Sequence, residues 1–82
     1  MYKVKEIIGD ILLTMFLEGE FNAYMLEHVK YNGKKKLGVI IEQEGNKYCR
    51  LELEEDMEFH IAELRKIIEM AMQNAQEVNN GH

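Results

Sequence analysis

The sequence predicts an α+β fold, an antiparallel meander of three or four strands followed by a long C-terminal amphipathic helix. Three observations carry that expectation. Asn32-Gly33 and Gly45-Asn46 are tight-turn signals, because glycine and asparagine tolerate the positive φ that two-residue hairpins require. The segments flanking these turns alternate apolar and polar side chains with the period of a strand. From Met57 onward, Met57, Ile61, Leu64, Ile68, Ala71, Ala75 and Val78 recur at steps of four and three, the period of a helix.

Residues 2–18 carry both patterns. Val4, Ile7, Ile8, Ile11, Leu12, Met15 and Phe16 fit a helical stripe, while Gly9 and the β-branched content suit a strand that Gly19-Glu20 would turn back against residues 21–31. The strand choice gives four antiparallel strands and a helix; the helix choice gives the order α-β-β-β-α. With two-residue loops at Asn32-Gly33 and Gly45-Asn46, Tyr31 faces Lys34, Leu26 faces Val39, Glu44 faces Lys47 and Ile40 faces Leu51. Ala23, Met25, Val29, Tyr31, Ile40, Cys49, Leu51 and Leu53 then share one face of the sheet. Tyr24, Leu26, His28, Leu37, Val39, Ile41, Tyr48 and Arg50 share the other. Both faces are partly apolar, so a second helix, a partner subunit or a ligand is expected over the second one. Asp56 is the expected N-cap of the C-terminal helix, with Glu54, Glu55 and Glu58 favouring the positive end of its dipole. At 1.5 Å per residue that helix would run roughly 30 Å.

At 82 residues the chain reads as a single domain over 1–78 with a solvated tail at 79–82. A domain this small buries only about 60% of its unfolded surface, which makes a homodimer the expected state. Its longest apolar run, Ile11–Leu17, is shorter than the roughly 20 residues that cross a bilayer, and no secretory leader precedes it, so the expectation is a cytoplasmic protein with no membrane partner. Cys49 is the only cysteine, which leaves no intramolecular disulfide and no multi-cysteine zinc site.

Catalytic chemistry finds few carriers. There is no serine, Thr14 is the only threonine, and Cys49 falls on an inward-facing strand position. Asp56, His60 and Glu63 could share one helix face, but no second cluster completes a metal site, and His28 has neither a carboxylate dyad nor a glycine-rich phosphate loop beside it. The expectation is a non-enzymatic module without cofactor or metal.

Charge patterning points to binding. The net charge is −5, yet residues 24–50 carry six Lys/Arg against three Asp/Glu, while 51–82 carry two against eight. Tyr24, His28, Lys30, Lys35, Tyr48 and Arg50 fall on one expected face, with Lys34, Lys36 and Lys47 at the turn ends. Rings that stack on bases beside cations that neutralise phosphate are the chemistry of single-stranded nucleic-acid binding. The rival expectation is a protein-interaction factor, such as a small phage or bacterial regulator or inhibitor, using the apolar sheet face or the acidic helix. Lysines beside a hairpin turn also serve simply to keep strand edges from aggregating.

The stretch "YMLEHVKYNGKKKLGVII" (24–41) resembles the strand, GK turn and apolar strand of the Whirly, Pur and positive-cofactor-four group of single-stranded DNA-binding domains. "LELEEDMEF" (51–59) resembles the short strand running into the acidic helix start of that group. The resemblance covers about half the chain. It lacks the tryptophan and proline common at that helix start, having Phe59 and no proline. It implies a dimeric fold of four strands plus a helix, with nucleic-acid contact through Tyr24, Lys30, Lys34, Lys35, Lys36, Lys47, Tyr48 and Arg50. The α-β-β-β-α order instead resembles the double-stranded RNA-binding domain, whose second helix opens with lysines where this chain has Glu54-Glu55-Asp56.

Overall fold

The computed structural model describes residues 1–77; the expected tail at 79–82 and the end of the expected helix at Val78 lie outside the described residues. The chain runs β1 (Tyr2–Lys3), α1 (Val4–Leu17), β2 (Ala23–Tyr31), β3 (Lys34–Gln43), β4 (Lys47–Glu54), β5 (Glu58–Phe59), α2 (Ile61–Gln73) and β6 (Gln76–Glu77). The fold is α+β, as expected: β2, β3 and β4 form an antiparallel meander, and both helices pack on one face of it.

The ambiguity of residues 2–18 is resolved as a helix. Val4, Ile7, Ile8, Ile11, Leu12 and Met15 are all buried along one side of α1. The glycine expected to turn a strand instead ends the helix. Gly19, at φ 82°, donates its N–H to Phe16 and the Glu20 N–H reaches Met15, a Schellman closure that uses the conformation glycine adopts most cheaply.

The C-terminal helix is short, thirteen residues from Ile61 to Gln73, and Asp56 is not its N-cap. Residues 55–59 form a turn and the short β5 rather than helix because they serve α1. The Glu55 and Met57 carbonyls accept the Lys5 and Val4 N–H groups, donors that the first turn of a helix leaves without partners. β5 also pairs with β1, setting Tyr2 opposite Phe59 and Lys3 opposite Glu58, so the two helices are launched side by side. Each start is closed by the same device: the Lys3 N–H donates to Glu6 Oε1 at 2.9 Å and the His60 N–H donates to Glu63 Oε1 at 2.8 Å. At its far end α2 stops at Asn74, and the chain returns to pair Gln76 with Tyr48 and Glu77 with Lys47, covering the outer edge of β4.

The first hairpin forms as expected, with Asn32 and Gly33 at φ 52° and 79° and Tyr31 opposite Lys34. The second does not. Its loop has three residues, Glu44-Gly45-Asn46, so Gln43 faces Lys47, Ile40 faces Arg50 and Ile41 faces Cys49. A slip of one residue inverts a strand, since side chains alternate with period two. Cys49, Leu51 and Leu53 therefore join Tyr24, Leu26, Leu37, Val39 and Ile41 beneath the helices, and Tyr48 and Arg50 turn to the open side. One face of the sheet holds the core and the other faces solvent, the usual amphipathic arrangement of an antiparallel sheet. The core closes with Leu64 and Ile68 of α2, both 0% exposed, and Arg65 ties α2 to the end of α1 through Glu18 at 2.6 Å while pairing within α2 with Glu69 at 3.2 Å.

Candidate functional site

The eight residues expected to form one basic and aromatic surface divide four and four between the two faces. Tyr24, Lys30, Lys35 and Lys47 lie on the helix side; Lys34, Lys36, Tyr48 and Arg50 lie on the open side. Tyr24 is half-buried in an aromatic corner, its ring 5.8 Å from Phe16 and 5.7 Å from Phe21 in edge-on geometry. Its ring is a packing element. Tyr48 is 46% exposed on the open face at the same end of the sheet.

Arg50 is occupied. Its guanidinium donates to Glu27 at 3.2 Å on β2 and to Glu52 at 3.0 Å on β4, and these two carboxylates hold its pKa above the ordinary guanidinium value. It crosses the central strand over Gly38, where an added Cβ would lie 3.3 Å from the guanidinium. A side chain at that position would obstruct the crossing, so a glycine in a central strand, a costly choice on propensity alone, makes room for the ion pair. Glu27, Gly38 and Glu52 were not singled out from the sequence. The spacing of Glu52 from Arg50, two residues and hence the same face, was the available signal.

The lysines concentrate at one end. Lys30, Lys34, Lys35 and Lys36 surround the Asn32-Gly33 turn and form no ion pair among the described residues. Lys30 stands directly opposite Lys35, a pairing that raises their mutual repulsion, and Tyr31 beside them is 68% exposed. His28 Nδ1 lies 3.4 Å from Glu55, and Lys5 and Lys3 approach Asp56 at 3.0 and 3.7 Å. The Asp56 carboxyl is held below the usual carboxylate range by the Lys5 hydrogen bond and charge, and the Lys5 ammonium is raised in turn.

The open face carries one apolar patch. Ala23, Met25, Ile40 and Tyr48 are neighbours across three strands, with Met25 53% exposed, and they line a shallow depression together with Tyr24 and Glu42. Sequence reading placed Tyr48 on the face opposite Met25 and Ile40; only the observed register brings the three together. Asp56, His60 and Glu63 do not form a ligand set, since Asp56 pairs with lysines and Glu63 closes the start of α2, and no group of three metal-binding side chains occurs among the described residues. Cys49 is buried, and desolvation pushes its thiol pKa up, which disfavours the nucleophilic thiolate. Among the described residues no helix is long and apolar enough to cross a membrane. No family model matches the chain, and no curated protein or solved structure matches it either.

Proposed function

We propose that the chain is a non-enzymatic, cytoplasmic protein-interaction factor that engages another protein through the open face of its sheet. The observation that carries this reading is the solvent-facing patch of Met25, Ile40 and Tyr48, assembled on the face the helices leave free. Glu42 borders that patch, while Glu52 is already paired with Arg50 and Glu54 stands opposite Lys36, so the matching partner presents an apolar centre with a cation to meet Glu42. Aspartate at Leu26 or Val39 is no test of such an interface, because Val39 is 0% exposed and Leu26 packs against the core. The informative variants are Met25→Asp and Tyr48→Asp, compared with Lys35→Glu in affinity capture from the source cell lysate. A protein retained by wild type and by Lys35→Glu, and lost by both aspartate variants, is the expected outcome; capture indifferent to Met25 and Tyr48 would overturn the reading.

Single-stranded nucleic acid is the second reading, supported by the four unpaired lysines and exposed Tyr31 at the hairpin tip. It rests on that tip rather than on a sheet-wide platform. Under it, Lys34, Lys35 and Lys36 neutralise phosphate while Tyr31 stacks on a base. Tight, salt-dependent anisotropy of labelled oligo-dT over a matched duplex, lost in Lys34→Glu/Lys35→Glu, would favour it over the protein partner. No binding even at low salt would sink it.

A further inference from the structure

The two edges of the sheet are treated differently. The outer edge of β4 is covered by the chain's own β6, whereas among the described residues nothing pairs with the outer edge of β2. That edge is nine residues long, is matched to β3 residue for residue without a bulge, and contains no proline. Proteins rarely leave such an edge exposed, because its unpaired N–H and C=O groups are a template for another strand.

The register shows which groups are free. The Glu55 N–H donates to the Lys35 carbonyl, so odd-numbered β3 residues bond toward β4 and even-numbered ones toward β2. By the same alternation Tyr24, Leu26, His28 and Lys30 direct their backbone groups outward. Above this edge α1 presents Phe16, edge-on to Tyr24, and Leu13 one turn earlier, at 39% and 46% exposure. A free edge and an apolar flank are thus adjacent.

We infer that this edge is the interface with a second copy of the chain, β2 pairing antiparallel with its counterpart about a two-fold axis at Glu27. This register uses all four outward-facing residues of each strand. Tyr24 comes opposite the partner's Lys30, Leu26 opposite the partner's His28, Met25 opposite the partner's Val29 and Ala23 opposite the partner's Tyr31. Aromatic meets cation, apolar meets apolar, and the exposed Tyr31 gains cover. Glu27 meets its own counterpart, and that repulsion is answered on each side by Arg50, which already reaches across Gly38 to the Glu27 carboxylate. An isologous pair of this kind joins the two meanders into one continuous sheet with all four helices on the same side. It shares Met25 and Tyr31 with the two ligand readings but rests on the free backbone edge of β2, and its test uses variants at His28, Glu27 and Arg50 that neither ligand reading uses.

Sedimentation velocity on the full chain at high micromolar concentration tests it, together with His28→Pro. Proline there removes an outward N–H that the monomer's own ladder does not use. The expected result is a dimer for wild type and a monomer of unchanged β-sheet circular dichroism for His28→Pro. A monomeric wild type, or a dimer that survives His28→Pro, would overturn the inference. Should His28→Pro fail to fold, single cysteines decide. Glu27→Cys sits on the axis and should form an intermolecular disulfide under mild oxidation, whereas Met25→Cys, displaced from its own counterpart, should not. Equal cross-linking of the two would overturn the register. Arg50→Ala should weaken the dimer several-fold, and Glu27→Gln in that background should restore it.

Discussion

Asp56 shows how a single side chain can be read for type and misread for role. An acid preceding a helical pattern suggests an N-cap, yet Asp56 lies in the turn before β5 and is held by Lys5 and Lys3. Its pKa is lowered in the fold, so its contribution to stability is present above the ordinary carboxylate value of about 3.9 and is lost as pH falls through the lowered folded value. Lys5 is the mirror case: its pKa is raised, so its contribution is present below its ordinary value and is lost as pH climbs through the raised one. The expected outcome is that Asp56→Asn flattens both limbs, losing less stability than wild type toward acid and toward strong alkali. Urea midpoints across a pH series check it. Cys49 was correctly read as a packed residue, although the face assigned to it was inverted.

At the scale of elements, the tight turns and the helical stripes were legible, while boundaries that depend on another element were not. The expected C-terminal helix loses its first turn because the Glu55 and Met57 carbonyls are needed by α1, and its last because β6 is needed by β4. Neither demand is visible within the helix's own sequence. The N-terminal closure observed at His60 and Glu63 gives a direct prediction: Glu63→Ala should cost about 1 kcal/mol of stability, the usual worth of a helix cap, and Glu63→Gln less, in equilibrium urea denaturation. The Asn32-Gly33 turn gives another. Gly33 sits at φ 79° with open space around it, so Gly33→Ala should destabilise by about 1–2 kcal/mol through backbone strain alone.

Across the whole molecule, the decisive quantity is one residue of register. With a two-residue second loop the sheet would be apolar on both faces and would gather Tyr24, Tyr48 and Arg50 on one of them; with the observed three-residue loop it has a single buried face and divides that group. Substitutions distinguish the two arrangements. Leu51→Asp should prevent folding, because Leu51 packs against the core, whereas Arg50→Leu should leave the fold intact as judged by circular dichroism and thermal unfolding. Leu64→Ala, at a site 0% exposed, should cost about 2–5 kcal/mol by leaving a cavity beneath α2.

The sequence by itself determined the α+β class, the meander, the first hairpin and its register, the amphipathic side of α1 and the apolar positions of α2, because each rests on local periodicity or on the φ preference of one or two residues. Only the tertiary structure decided whether residues 2–18 were helix or strand, where α2 begins and ends, and which way β4 faces. Those outcomes depend on hydrogen bonds between segments far apart in the chain: 55 and 57 with 5 and 4, 76 and 77 with 48 and 47. The candidate site shared that dependence, since a surface built from three strands is defined only when their mutual register is.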